Sequence, residues 1–204
     1  MADEIAADQS QIHPVPSTSM SPVQKNKYRL YISFDHRYKL PGYHWALTLA
    51  PKKESIDPDI HDCIIFHVTN AAMDGYPPLF WRYERKVVNG LHSQSALVGR
   101  ALLLKFPADL SLEKLADRVE MIVTAVPIVQ GDRQWNCITW VKRAIDALRN
   151  GGEPFISIPY IDPELQEELN VFAEEAKEKL LSRDKKLTDL SQLSYKDIRL
   201  ESVT

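Results

Sequence analysis

The chain has 204 residues, which is enough for one domain with additional segments and too few for two full domains. Hydrophobic residues make up 44% of the sequence and charged residues 26%, as in ordinary soluble globular proteins. The net charge of −3 argues against a nucleic-acid-binding protein, and no apolar run reaches the roughly 18 residues of a membrane-spanning helix. Glycine-rich phosphate-binding motifs are absent. Two cysteines are too few for a disulfide scaffold, so we expect a reduced, cytoplasmic protein.

Three segments of the chain differ in composition. Residues 1–27 are polar, contain three prolines and lack the apolar stretch of a signal peptide, which predicts a disordered leader. Residues 28–161 are nearly neutral and contain both cysteines, and we expect them to form the folded domain. Residues 162–204 hold 11 acidic and 7 basic residues and are predicted to be a charged helical segment. Its apolar stripe can pack on the domain or on a partner protein, and we expect packing on the domain.

Strand-like segments follow one another in the first half of the domain. They are rich in β-branched and aromatic residues and cover 28–34, 43–50, 63–69, 81–88 and 96–106. Asn89-Gly90 predicts a hairpin-like connection between the last two. Five strands without an intervening helix predict an antiparallel sheet.

Three helices are predicted after the strands. Apolar residues recur at helical spacing after Asp109 or Ser111, either of which can cap the first helix. The second helix is expected to begin near 132–136 and to end at the glycines that follow Asn150. The third begins at Asp162-Pro163, a capping residue followed by proline in the first turn. A sheet followed by helices predicts the α+β class, with a C-terminal helical extension.

One cysteine lies where a reactive thiol would be placed. Cys137 stands at the predicted start of the second helix, and a helix N-terminus stabilises the thiolate that acts as the nucleophile. Activation also needs a base and a group that orients this base, and His44 and His67 each lie within a predicted strand. If those strands are neighbours, both rings can face Cys137.

Two other interpretations of these residues remain open. A cysteine in an amphipathic helix is often a small buried hydrophobic residue, and a strand histidine is often structural. A zinc site could use His44, His67, Cys63 and Cys137, but close paired spacing of the ligands is missing. We therefore expect no metal, and a structural role for Cys63.

Three short motifs resemble a known superfamily. They are Tyr43-His44-Trp45-Ala46-Leu47, then His67 on the next strand, and Asn136-Cys137 followed by Trp140-Val141. The pattern is similar to the circularly permuted papain-like fold of the NlpC-like superfamily. It most resembles the branch of lecithin:retinol acyltransferase and the H-rev-type phospholipase/acyltransferases. The chain order histidine, histidine, cysteine is the permuted one.

The resemblance implies a role for each of the three residues. Cys137 matches the nucleophile, His44 the general base and His67 the residue that orients the base. The backbone N–H of Cys137 matches part of the oxyanion hole. The resemblance thus implies a hydrolase or acyl transferase that forms a thioester on Cys137 from an ester, thioester or amide, without a cofactor. Its substrate would be a small molecule, a lipid or a peptide.

A binding or scaffold module on the same fold is the alternative function. Ile138 and Thr139 stand where the acyltransferase branch has Glu and His after the cysteine, and this difference favours the non-catalytic alternative. The four tryptophans, three of them beside the motifs, could wall an apolar substrate pocket, but we expect them to pack the core. Trp45 in particular should point to the face of the sheet opposite His44.

Overall fold

The computed structural model describes residues 28–37, 40–55, 57, 59–77, 79–89, 96–106, 110–181 and 193–199. The predicted leader, residues 1–27, lies outside this part of the chain, as does Gly90 of the expected hairpin connection. The domain boundaries inferred from composition stay predictions.

A six-stranded mixed sheet forms the centre of the α+β fold. Its spatial order is β4-β3-β2-β1-β5-β6, and all neighbours are antiparallel except β5 and β6, which are parallel. The strands are β1 (Tyr28–His36), β2 (Tyr43–Pro51), β3 (Cys63–Thr69), β4 (Arg82–Val88), β5 (Leu97–Phe106) and β6 (Ser194–Asp197). The five predicted strands are therefore confirmed. The expected purely antiparallel sheet was wrong, because the C-terminal segment adds β6 at the edge beside β5.

Three helices cover one face of this sheet. They are α1 (Leu112–Val123), α2 (Cys137–Asn150) and α3 (Pro163–Leu181), with a short 3₁₀ helix at Phe155–Ser157. Side chains alternate along the strands, and the members of this face form one apolar core with the helices. From the first three strands this core receives Tyr28, Leu30, Ile32, Phe34, Tyr43, Trp45, Leu47, Leu49, Ile64, Phe66 and Val68.

The helix ends follow the local chemistry of the sequence. Ser111 caps α1 by accepting a hydrogen bond from the N–H of Lys114, and Asp162 accepts one from the N–H of Leu165 at the start of α3. Gly152, with φ of +78°, supplies the left-handed conformation after α2. α3 rests on β5 because Gly99 has no side chain, and a Cβ there would lie 3.1 Å from the ring of Phe172. As expected, the apolar stripe of α3 packs on the domain.

The opposite face of the sheet is more polar and is also buried in part. Ser33 and Thr48 share a 2.8 Å hydrogen bond there, and both are almost fully buried. Arg100, fully buried, forms an ion pair with Glu54 at 2.6 Å. His44 and His67 belong to this face, since Trp45, Phe66 and Val68 point toward the helices. Among the described residues, no helix is long and apolar enough to cross a membrane.

Candidate active site

Cys137 is the first residue of α2 and is held there by the cap of that helix. The side-chain oxygen of Asn136 accepts hydrogen bonds from the N–H groups of Ile138 and Thr139, at 2.9 and 3.1 Å. Two otherwise unpaired N–H groups of the first turn are thereby satisfied. Because α2 begins at Cys137 itself, the capped first turn of the helix fixes the backbone of this residue.

The Cys137 side chain is 3% exposed, and its burial raises the pKa of the thiol. Three backbone N–H groups face the sulfur and lower this pKa, those of Trp45, Ile138 and Cys137 itself, as does the charge of Arg37. Burial outweighs them, and the pKa lies above its ordinary value. The helix N-terminus alone predicts a lowered pKa, which is wrong here. The resting group is a protonated thiol surrounded by donors that stabilise a negative charge once it forms.

His44 and His67 form a hydrogen-bonded pair. The Nε2 atom of His44 lies 2.8 Å from the Nδ1 atom of His67, and the two rings meet edge to face. The sheet explains the contact, because the β2–β3 register places the two residues diagonally opposite on one face. β2 and β3 are neighbours, but the two rings lie on the face of the sheet opposite the helices, so their pairing does not by itself turn them toward Cys137.

Glu84 extends the pair on the neighbouring strand. It lies directly opposite His67 in the β3–β4 ladder, with its Oε2 atom 3.3 Å from Nε2 of His67. Arg82 and Lys86 flank the carboxylate at 2.7 and 2.8 Å. Burial works against ionisation of Glu84, but the hydrogen bonds and charges of these neighbours hold the pKa of its carboxyl below the ordinary value. Glu84 is thus an ionised acceptor.

An ionised carboxylate fixes the tautomers of both rings. The buried Nε2 atom of His67 has no regular hydrogen bond among the described residues, and the ionised Oε2 atom of Glu84 lies 3.3 Å from it. We place the proton of His67 on this Nε2 atom, which leaves Nδ1 as an acceptor for the Nε2–H of His44. The Nδ1 atom of a neutral His44 then carries a lone pair and can accept a proton.

Both imidazoles are held in the neutral form. Burial is the main cause, and it lowers the pKa of His44 to about 3 and that of His67 to about 4. The charges of His67 and Arg37 also lower the pKa of His44, and Lys86 lowers that of His67. A neutral imidazole is the state that a general base requires before it accepts a proton.

Cys137 lies near the end of β2 on the helix side of the sheet, whereas the rings of His44 and His67 lie on the opposite face. The β2–β3 ladder covers only Leu47–Leu49 paired with Phe66–Ile64, although both strands continue past it. There the N–H of Trp45 faces the Cys137 sulfur. A strand N–H lies near the plane of its sheet, so the sulfur is close to this plane and to the His44 backbone. Among the described residues, however, no hydrogen bond joins the thiol to His44.

A surface pocket of about 420 Å³ opens beside Cys137. One wall comes from Arg37, just after β1, and from Tyr43, the first residue of β2. Another comes from α3, including Asn170 and Glu174. The Tyr43 hydroxyl donates a hydrogen bond to Glu174, which also pairs with Lys177. The pocket is large enough for a small molecule or a chain end, and Cys137 is one of its lining residues.

The other sequence candidates lie outside this site. Cys63 is buried, and its thiol donates a hydrogen bond to Glu54 at 3.3 Å. Trp45, Trp135 and Trp140 are buried in the apolar core, Trp81 packs on it, and none of the four lines the pocket. Nowhere in the described part of the chain do three or more His, Cys, Asp or Glu residues group as a metal site.

A family model matches residues 27–164, about two thirds of the chain. The chain belongs to DUF6914, a family of unknown function. No curated protein and no solved structure matches it. The matched range of this DUF6914 chain includes Cys137, His44, His67 and Glu84. The α3 wall of the pocket, Asn170 and Glu174, lies beyond it.

Proposed function

We propose that this DUF6914 protein is a cysteine-dependent hydrolase or acyl transferase on a permuted papain-like fold. The observation that carries the proposal is the chain Glu84–His67–His44. Its 3.3 Å ion-pair contact and its 2.8 Å hydrogen bond leave a proton-accepting nitrogen on His44, the residue before Trp45, whose N–H faces the Cys137 sulfur. A neutral, oriented imidazole that a thiol can reach is the arrangement that generates a nucleophile from a protonated cysteine, and the proposal requires Cys137 and His44 to meet in this way. Two free cysteines also suit a reducing compartment such as the cytoplasm.

In the proposed reaction, His44 acts as the general base and Cys137 as the nucleophile. This step requires the thiol to come within reach of Nδ1 of His44, which takes the proton as the sulfur attacks the substrate carbonyl. A carbon–sulfur bond forms, and the carbonyl oxygen becomes an oxyanion near the backbone N–H of Cys137. His44 then returns the proton to the leaving alcohol, thiol or amine, and a thioester remains on Cys137.

The second half of the reaction reverses these roles. Water or another nucleophile gives a proton to Nδ1 of His44 and attacks the thioester carbonyl. The carbon–sulfur bond breaks, the thiol of Cys137 recovers a proton from His44, and an acid or a transferred acyl product leaves. His67 acts as a positioning residue in both halves, since it holds the Nε2–H of His44, and Glu84 positions His67.

A binding module that retains the fold is the second candidate. It is favoured by the protonated resting thiol of Cys137 and by the missing hydrogen bond to His44 among the described residues. In such a protein, the pocket would hold a ligand without chemistry. Chemical trapping separates the two functions, because only the first requires a covalent adduct on Cys137.

The experiment is intact-mass analysis of the protein incubated with a panel of esters, thioesters and amides. A Cys63→Ala background leaves Cys137 as the single thiol. We expect a mass increase equal to one acyl group, absent in Cys137→Ser with the same panel. Adducts that persist in Cys137→Ser, or a panel without any adduct in the folded protein, would support the binding module instead.

A further inference from the structure

We propose that the pocket beside Cys137 selects acyl substrates that carry a carboxylate, and that Arg37 is the residue that binds this group. The inference rests on the proposed function, since it names the substrate class of that same site. Two charged side chains line the pocket, Arg37 on the β1 side and Glu174 on α3. The net charge of the pocket depends on whether each of these two side chains is paired with an opposite charge inside the protein.

Glu174 is already neutralised within the protein. Lys177, one turn further along α3, forms an ion pair with its carboxylate, and the hydroxyl of Tyr43 donates a hydrogen bond to it. These two donors hold the pKa of Glu174 below its ordinary value, so the group is ionised and its charge is balanced by Lys177. Glu174 therefore contributes little net charge to the pocket.

No acidic side chain among the described residues pairs with Arg37. In the described part of the chain it forms neither an ion pair nor a side-chain hydrogen bond, although it is only half-exposed. Its positive charge acts on both the proposed nucleophile and the proposed base, since it lowers the pKa of Cys137 and of His44. The pocket consequently has an unbalanced positive charge next to the proposed nucleophile.

A guanidinium group binds a carboxylate through two parallel hydrogen bonds, which fixes the orientation of the ligand as well as its charge. A substrate held at Arg37 by its carboxylate would present a nearby carbonyl carbon to Cys137. The same positive field would stabilise the oxyanion that forms during attack. Neutral acyl groups of the same size would lack the first contact and bind without a defined orientation.

Iodoacetate and iodoacetamide provide a matched pair of probes, because they differ mainly in the carboxylate. With either reagent the sulfur attacks the methylene carbon, a carbon–sulfur bond forms, iodide leaves and the thiol proton passes to His44. Both rates are measured on the Cys63→Ala protein at low salt, and their ratio is compared with that of a small model thiol. Since both reagents meet the same thiol, the ratio does not depend on the thiol pKa.

We expect the iodoacetate-to-iodoacetamide ratio to exceed that of the model thiol by about tenfold or more, as for ligands attracted into a charged cleft. Arg37→Gln should return the ratio to the model value, Arg37→Lys should retain part of the preference, and added salt should reduce it. Lys142→Gln, on the middle of α2 and bonded to Gln166, serves as the matched control and should leave the ratio unchanged.

The outcomes separate this inference from the proposed function. A ratio equal to that of the model thiol, with alkylation of Cys137 that still depends on His44, overturns the carboxylate preference and leaves the hydrolase proposal standing. Alkylation that is unaffected by His44→Gln contradicts the proposed function, whatever the ratio. A preference that persists in Arg37→Gln shows that another group binds the carboxylate and overturns the assignment to Arg37.

Discussion

The Nε2 atom of His44 and the Nδ1 atom of His67 are 2.8 Å apart, and this hydrogen bond determines which nitrogen of His44 remains available. One of the two atoms must donate and the other accept. Because we place the only proton of a neutral His67 on the Nε2 atom that faces Glu84, the donor is His44. In the proposed function, the nitrogen of His44 that accepts the proton is thus determined by a carboxylate two side chains away.

Glu84→Gln tests this tautomer assignment. The amide presents an NH₂ donor as well as an acceptor, so it no longer dictates that His67 carries its proton on Nε2. We expect the ¹⁵N shifts of His44 and His67 to show single Nε2–H tautomers in the wild type and a mixture in the variant. Acylation of Cys137 should slow by about 10-fold or more, as for the loss of a group that orients a base.

Glu113→Gln is the control for that experiment. Glu113 also pairs with a β4 residue, Arg85, but its side chain is 66% exposed and lies on α1. Its replacement should leave both histidine spectra and the acylation rate as they are. Unchanged histidine tautomers in Glu84→Gln would contradict the role given to Glu84.

The neutral histidine pair predicts how stability depends on pH. In the unfolded chain histidines titrate near 6.5, whereas the folded pKa values of His44 and His67 are about 3 and 4. Below pH 6.5 the unfolded chain binds more protons, so the free energy of unfolding should fall as the pH drops toward 4. Asp35 opposes this trend, because burial raises the pKa of its carboxyl to about 6 and the folded chain takes up its proton first.

Two histidines outweigh one aspartate, so urea unfolding between pH 7.5 and 5 should show decreasing stability, by up to about 1.4 kcal/mol per pH unit for each net proton. The His44→Gln/His67→Gln protein should show a weaker decrease. His61→Gln, which replaces an exposed histidine, provides the comparison. Equal slopes in the two variants would show that the pair is not held neutral by the fold.

The Asn136 cap makes a separate contribution to stability. Its side-chain oxygen accepts two N–H hydrogen bonds at the start of α2, so Asn136→Ala should lower the free energy of unfolding by about 1 kcal/mol. Asn136→Ser keeps a capping oxygen and should lose less. Urea titration of both variants measures the difference, and equal stability of Asn136→Ala and the wild type would show that the cap is dispensable.

The buried ion pair of Arg100 and Glu54 predicts a larger effect. Arg100 is fully buried and Glu54 is 4% exposed, so Glu54→Gln leaves a buried charge without its counter-ion. Removal of one partner should cost about 3–5 kcal/mol, whereas replacement of both, as in Arg100→Met/Glu54→Leu, should cost less. If Glu54→Gln unfolds at the same urea concentration as the wild type, the ion pair does not contribute to the stability of the fold.

The sequence predicted the parts of the fold that depend on neighbouring residues. The five strands follow from composition and the helices from periodicity, with Ser111 and Asp162 at observed helix starts. The four-residue strand β6 was missed because its sequence does not alternate between apolar and polar residues. It also pairs with β5, which is far away in the chain. Nothing local within the acidic tail specifies that pairing.

The sequence predicted three residues of the candidate site, Cys137, His44 and His67, but not the contacts and the pKa shifts that the fold gives them. His44 and His67 come together as expected, whereas Glu84 was missed because the β3–β4 register fixes its position. One signal was available, since Glu84 is the single acid in a strand with three basic residues. The raised pKa of Cys137 was also missed, because the helix N-terminus is a local feature and burial depends on the whole fold.

The most direct measurement is the rate at which an activated ester acylates Cys137 in the Cys63→Ala protein, with and without His44→Gln. If His44 is the base, the variant should react about 100-fold more slowly at pH 7.5. The difference should shrink at pH 10, where more of the thiol ionises without help. Equal acylation rates of the two proteins at pH 7.5 would contradict the account.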